Sequence, residues 1–104
     1  MADIRNVNLK VKARVEKYLK RDKSGIRRAV LKLILRLKRF TTDSIYKALK
    51  KINFEVSKKS VAAIIGAIES RLGILKSIRN HSSGIVVYEL KKEYIHLLRT
   101  ILQS

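Results

Sequence analysis

The chain has 104 residues, with 25 Lys and Arg against eight Asp and Glu, a formal charge of +17, 46% hydrophobic residues and neither Cys nor Pro. This length allows one modest core and not two, the apolar content excludes a disordered chain, and the missing thiols exclude a disulfide framework and a thiolate metal site. A charge this one-sided repels itself, so it calls for a polyanionic partner, nucleic acid first and an anionic membrane surface second, or else for a basic surface solvated in hot or salty surroundings.

The opening MADIRNVN has no clear period and reads as a short arm, without the apolar segment of a signal peptide. No apolar run approaches the roughly 20 residues that a membrane span needs. No membrane partner is expected, and a cytoplasmic location is, nucleoid-associated if the partner is DNA. From Leu9 to Asp22, Val11, Val15, Tyr18 and Leu19 fall on one helical face, with Lys10, Arg14, Lys17 and Arg21 off it. Residues 1–40 hold 14 of the 25 Lys and Arg but only three acids, Asp3, Glu16 and Asp22, which makes this part a candidate phosphate-contacting surface.

Ser24 is in position to cap a second helix, Gly25 to about Phe40. Ile26, Ala29, Val30, Leu33, Ile34 and Leu37 form its stripe, and Leu31 and Leu35 widen it, as expected of a central core helix. Its remaining arc holds Arg27, Arg28, Lys32, Arg36 and Arg39, a solvated face by default and a backbone-contacting one beside nucleic acid. Thr41 caps a third, short helix, with Asp43 in its first turn and Ile45, Ala48, Leu49 and Ile52 on its stripe, ending near Asn53. Phe54, Glu55 and Val56 are a brief extended link.

Ser57 to Gly73 then reads as one helix with a hydroxyl cap at its start and a left-handed stop at its end. Val61, Ile64, Ile65, Ile68 and Leu72 are its apolar stripe, and Lys58, Lys59, Ala62, Ala63, Gly66 and Ser70 its other face. Two capped helices joined by a few residues make a helix-turn-helix candidate. Ile74–Asn80 and Ile85–Leu90 read as strands of a hairpin turned by His81, Ser82, Ser83 and Gly84, with Ile74 and Ile78 sharing one face and Val86, Tyr88 and Leu90 another. Lys91 to Leu102 closes the chain as a helix with Tyr94, Leu97, Leu98 and Ile101 on its stripe. Ile95 and Leu102 give it an extra apolar width that would be awkward on a monomer, and a homodimer through the N- or C-terminal helices is expected.

The fold class expected is mainly α with a small β-hairpin, in a single domain over 1–104. Its parts are basic N-terminal helices (9–40), the helix-turn-helix (41–73), a hairpin (74–90) and a C-terminal helix (91–104).

The stretch TTDSIYKALKKINFEVSKKSVAAIIGAIESRLGILKSIRN…GIVVYEL, residues 41–90, resembles a winged helix-turn-helix domain, here with additional N-terminal and C-terminal helices. More narrowly it is similar to the DNA-binding half of the ferric uptake regulator family. The resemblance rests on Thr41 or Thr42, Ile45, Leu49, Ser57, Val61, Gly73 and the Tyr88-Glu89-Leu90 strand, and implies duplex DNA binding through the Ser57–Gly73 helix. That family's His-, Cys- and acid-rich dimerisation domain has no counterpart after the hairpin, so metal sensing is not implied. Its recognition helix carries an aromatic and a basic residue where this chain has Ala62 and Ala63.

If the Ser57–Gly73 helix enters a major groove, Lys58, Lys59 and Ser60 lie nearest the DNA, with Ala62 and Ala63 following along the face. The mid-face has no Asn, Gln or Arg for bidentate base reading, so binding leans on phosphates and shape. Against this stands a plainer reading, in which Ala62, Gly66 and Ser70 let another helix pack closely. The hairpin tip, Arg79, Asn80 and His81, is a second candidate contact, or else an ordinary solvated turn. His81 and His96 lack partners at ligand spacing, so neither metal nor cofactor is expected, and the four tyrosines sit at or beside core positions. No nucleophile, paired acid or glycine-rich loop points to an enzyme. The expected function is duplex DNA binding, as a small transcriptional regulator or chromatin-associated protein. The alternatives are an RNA-binding, ribosome-associated module and a protein-interaction winged helix.

Overall fold

A computed structural model describes residues 4–103, and side chains over 8–103. The chain runs α1 (Ile4–Lys20), α2 (Ile26–Leu37), β1 (Arg39–Phe40), α3 (Thr42–Lys51), α4 (Lys58–Ala67, prolonged by a π turn, Ile68–Leu72), β2 (Leu75–Arg79), β3 (Val86–Leu90), a 3-10 turn (Lys92–Tyr94) and α5 (Ile95–Gln103). Mainly α, it joins five helices to a small antiparallel sheet of strand order β1-β3-β2.

Helix α1 starts at Ile4, where an irregular arm was expected; residues 1–3 of that arm lie outside the described residues. No Gly or Pro interrupts the stretch, and without a breaker the helix extends past its apolar period. Val11, Val15 and Tyr18 are buried as their spacing implies, and Lys10, Arg14, Lys17 and Arg21 are exposed.

Ser24 does not cap α2. Gly25 takes the cap position with φ 83° and no side-chain cap bond, and the Asp22 carboxylate accepts from the backbone N–H groups of Gly25 (3.1 Å), Arg27 (3.2 Å) and Arg28 (3.0 Å). A charged acceptor of three amides satisfies most of the orphan donors of that helix end and complements its dipole, which one hydroxyl would not. Val30, Leu31 and Ile34 are fully buried, so the buried side is centred on Leu31, and Leu37 is exposed. The helix stops at Leu37, three residues before the expected end. Lys38 turns left-handed (φ 65°), its N–H bonded to Ile34 O, and Arg39 and Phe40 pair with Glu89 and Tyr88 of β3. Phe40 is buried and stacks on Tyr88 with ring centroids 5.7 Å apart.

Helix α3 carries a full capping box: Ser44 N–H donates to Thr41 Oγ1 at 3.1 Å and Thr41 N–H to Ser44 Oγ at 2.8 Å. Its far end is a Schellman motif, with Phe54 N–H on Leu49 O, Asn53 N–H on Lys50 O, and Asn53 at φ 67° where glycine is usual. That closure leaves Ile52 outside the buried stripe, 55% exposed. Ser57 caps α4 through Ser60 N–H at 3.1 Å, and Gly73 ends its π turn at φ 69°. Val61, Ile65, Ile68 and Leu72 are buried and Ile64 is half-buried against the core.

The hairpin pairs Leu75 with Leu90 through to Arg79 with Val86. Leu75, and not Ile78, is the buried side chain of β2; Ile78 shares its face with Lys76 and is 44% exposed. Tyr94, Leu98, Ile101 and Leu102 of the C-terminal segment are buried, with α5 packed on both α1 and α2. Of the extra apolar width of this helix, Leu102 is thus buried within the chain and Ile95 is half-buried against the core.

Candidate nucleic-acid interface

The apolar stripe of α4 faces the core, which turns its other side to solvent. Lys58, Lys59, Ser60, Ala62 and Ala63 are all exposed, and a Cβ placed on Gly66 would meet nothing within 4 Å. The close helix packing offered as a plainer reading of the Ala62–Gly66–Ser70 row is therefore not made by any of the described residues.

The two lysines at the start of α4 differ. Lys58 Nζ lies 3.1 Å from Asp43 Oδ1, and Lys47 Nζ lies 3.1 Å from the other oxygen of the same carboxylate. The hydrogen bonds from Lys47 and then Lys58 hold the Asp43 carboxyl below its ordinary value. Lys58 thus shares its charge with an acid, while Lys59 joins no ion pair among the described residues. Ser60 is tied into the cap, its N–H on Ser57 Oγ and its own oxygen accepting from the Ser57 hydroxyl at 2.9 Å.

At the hairpin tip Arg79, Asn80 and His81 are exposed. Asn80 closes the turn itself. Its side-chain oxygen accepts from Ser82 N–H (2.9 Å) and Ser83 N–H (3.4 Å), and its backbone bonds both Ile85 and Gly84. Arg79 and His81 remain as the outward-facing groups there. The hairpin leaves α4 directly through Gly73 and Ile74.

Arg27 and Arg28 belong to another part of the molecule. Arg27 donates to Tyr18 O at 3.0 Å and its guanidinium carbon sits 4.3 Å from the Tyr18 ring centroid, while Arg28 donates to Leu102 O at 3.1 Å. Both brace the junction of α1, α2 and α5. The ten residues marked in the sequence therefore form three separate groups: the start of α4, the hairpin tip and this junction.

A fourth group shares Arg27 with this junction and is otherwise made of residues outside those ten. Arg14 and Lys17 of α1, Arg21 in the turn just after it, Arg27 of α2 and Arg71 of the π turn surround Tyr18 and Leu72 in a cleft of about 190 Å³. Arg14, Lys17 and Arg21 were visible as a basic edge of α1, but only the tertiary packing of the π turn on α1 brings Arg71 to them. Among the described residues no group of three or more His, Cys, Asp or Glu is placed to hold a metal ion, and no helix is long and apolar enough to cross a membrane.

No solved structure matches the chain. An uncharacterized protein of Archaeoglobus fulgidus is 40% identical over 98 residues, spanning 94% of this chain and 98% of that protein. A family model matches residues 15–98, from α1 into α5, and it is not that of the ferric uptake regulators expected from residues 41–90: the chain belongs to the family described as Protein of unknown function, DUF2551.

Proposed function

We propose that the protein binds duplex DNA as a winged helix-turn-helix module, in the role of a small transcriptional regulator or chromatin-associated protein. The element order α2-β1-α3-α4-β2-β3, with β3 between β1 and β2, is what such a module requires, α4 serving as the groove helix and the β2–β3 hairpin as the wing. The observation that carries the reading is the outward face of α4, where Lys59, Ala62 and Ala63 are exposed and the space above Gly66 is open. A face of small side chains lets the helix backbone approach a groove floor. The lysines at its start meet phosphates, and Arg79 and His81 meet the backbone or the minor groove alongside. With no bidentate base reader in mid-face, affinity comes from phosphate contacts and DNA shape.

The test is a titration of fluorescent duplex DNA, duplex RNA and single-stranded RNA at two salt concentrations. Wild type is compared with Lys58→Ala/Lys59→Ala and with Lys50→Ala/Lys51→Ala, which removes two exposed cations from the end of α3. The expected result is duplex DNA binding that weakens about a thousandfold or more between ~50 and ~200 mM salt for some six phosphate contacts. It should fall further in the α4 variant than in the α3 variant. Preference for either RNA, or equal losses in the two variants, would overturn the assignment of α4 to a DNA groove. Binding to no nucleic acid would leave that face to a protein partner.

A further inference from the structure

The cleft between α1 and the π turn is built unlike the rest of the basic surface. Its lining holds five cations and no acid, and among the described residues none of the five takes part in an ion pair. Like charges converging on one cavity raise the energy of the empty state, and a chain with so much open surface has room to spread them. Arg27 is already fixed, by the Tyr18 carbonyl at 3.0 Å and the Tyr18 ring at 4.3 Å, so one donor fork is in place before any ligand arrives. The Arg14 guanidinium lies beside Gly73, 3.9 Å from where a Cβ on that residue would stand. Burial, with a smaller push from the nearby Asp22 carboxylate, outweighs the opposite pull of Arg27 and Arg71 and holds the Tyr18 phenol above its ordinary value.

Size limits the occupant. About 190 Å³ falls below the ~300–1,000 Å³ of sites that enclose a drug-sized molecule. That size suits one or two tetrahedral phosphate groups better than a whole nucleoside. Guanidinium forks match phosphate oxygens two at a time, and four of the five cations are arginines.

We propose that this cleft is a binding site for a compact polyphosphate, either pyrophosphate or the phosphate end of a nucleoside triphosphate, distinct from the DNA-facing side of α4. The inference does not rest on the DNA reading, and either can fail alone.

Calorimetric titration of the full chain with pyrophosphate, and separately with ATP, at ~150 mM salt, where long-range attraction is largely screened, tests it. One saturable site is expected. Arg14→Gln/Arg71→Gln should weaken it roughly a hundredfold, two charged hydrogen-bond partners being lost, and the charge-matched Lys50→Gln/Lys51→Gln should leave it within about twofold. Arg21→Gln, a single exposed change, repeats the test if the double variant does not fold by circular dichroism. Equal affinity for pyrophosphate and ATP would identify the phosphates alone as the ligand, and tighter ATP binding would add a nucleoside contact outside the cleft. Equal losses in both double variants, or an unchanged affinity in the cleft variants, would mean general counter-ion attraction and overturn the site. Full displacement of pyrophosphate by duplex DNA would merge the cleft with the DNA surface and overturn its independence.

Discussion

Asp43 in the first turn of α3 holds Lys58, the first residue of α4, at 3.1 Å, and with Lys47 on its other oxygen it ties the two helices of the candidate helix-turn-helix together at their N-terminal ends. The same contact draws a cation of the proposed DNA surface toward an acid. Replacing Asp43 by Asn should therefore tighten duplex DNA binding and steepen its salt slope by roughly one, as one more cation becomes free for a phosphate. Titrations at several salt concentrations read this directly, and a shallower slope would place Lys58 outside the contact.

The depressed Asp43 carboxyl also has a pH signature. A group whose folded value lies below its unfolded value adds stability that is present above the unfolded value and lost as pH falls through the folded one. Wild type should accordingly lose stability relative to Asp43→Asn on acidification below about pH 4, the two melting curves converging at the acid end. The group is solvent-exposed, so the effect is small and shrinks with salt. Melts across that range that stay parallel would show the ion pairs to be absent in solution.

Asp22 and Ser24 offer a direct test of what starts α2. Asp22→Ala removes the acceptor of three amides and should cost about 1–2 kcal/mol, near the upper end of helix-cap losses, whereas Ser24→Ala should change stability by a few tenths at most. Urea denaturation of both variants decides it, and the reverse ranking would return the cap to the serine.

Gly66 separates stability from binding. Its Cβ position is open and its conformation helical, so Gly66→Ala should stabilise the fold by roughly 0.5–1 kcal/mol. If the α4 backbone lies close to DNA, the same methyl group should weaken binding. A variant that is more stable and binds equally well would move the DNA away from this part of the helix.

At Asn53, held at φ 67°, Gly should be accepted at little cost, whereas Ala should lose about 1 kcal/mol or more. Thermal melts of the two variants would show whether the Schellman closure of α3 sets the turn into α4.

The sequence was most legible where a side chain acts on its own neighbourhood. Thr41, Ser57, Asn53 and Gly73 each set a helix end through bonds or backbone angles within a few residues, and the Val61–Leu72 stripe alone orients α4. Reading failed where the partner is distant. Arg39 and Phe40 have no strand period and become β1 only by pairing with β3, so helical continuation from Leu37 was the natural local reading. Asp22 caps α2 from three residues before Gly25, beyond the spacing at which a cap is sought. For the candidate site, the exposed side of α4 followed from its stripe. Nothing local, however, distinguishes Lys58, engaged by an acid, from Lys59, or joins Arg71 to Arg14.

The β1–β3 ladder closes a loop across α3 and α4, with Arg39 and Glu89 standing 50 residues apart while β2 and β3 meet through a short turn. The hairpin can zip up locally and early, but its second neighbour has to wait until both helices have docked, because closing so long a loop costs entropy that two residue pairs repay poorly. The Leu90 amide, bonded at 2.7 Å to Lys38 O, is therefore a clock for the assembled domain: its hydrogen exchange should report the undocking of α2 from the sheet before the hairpin itself opens.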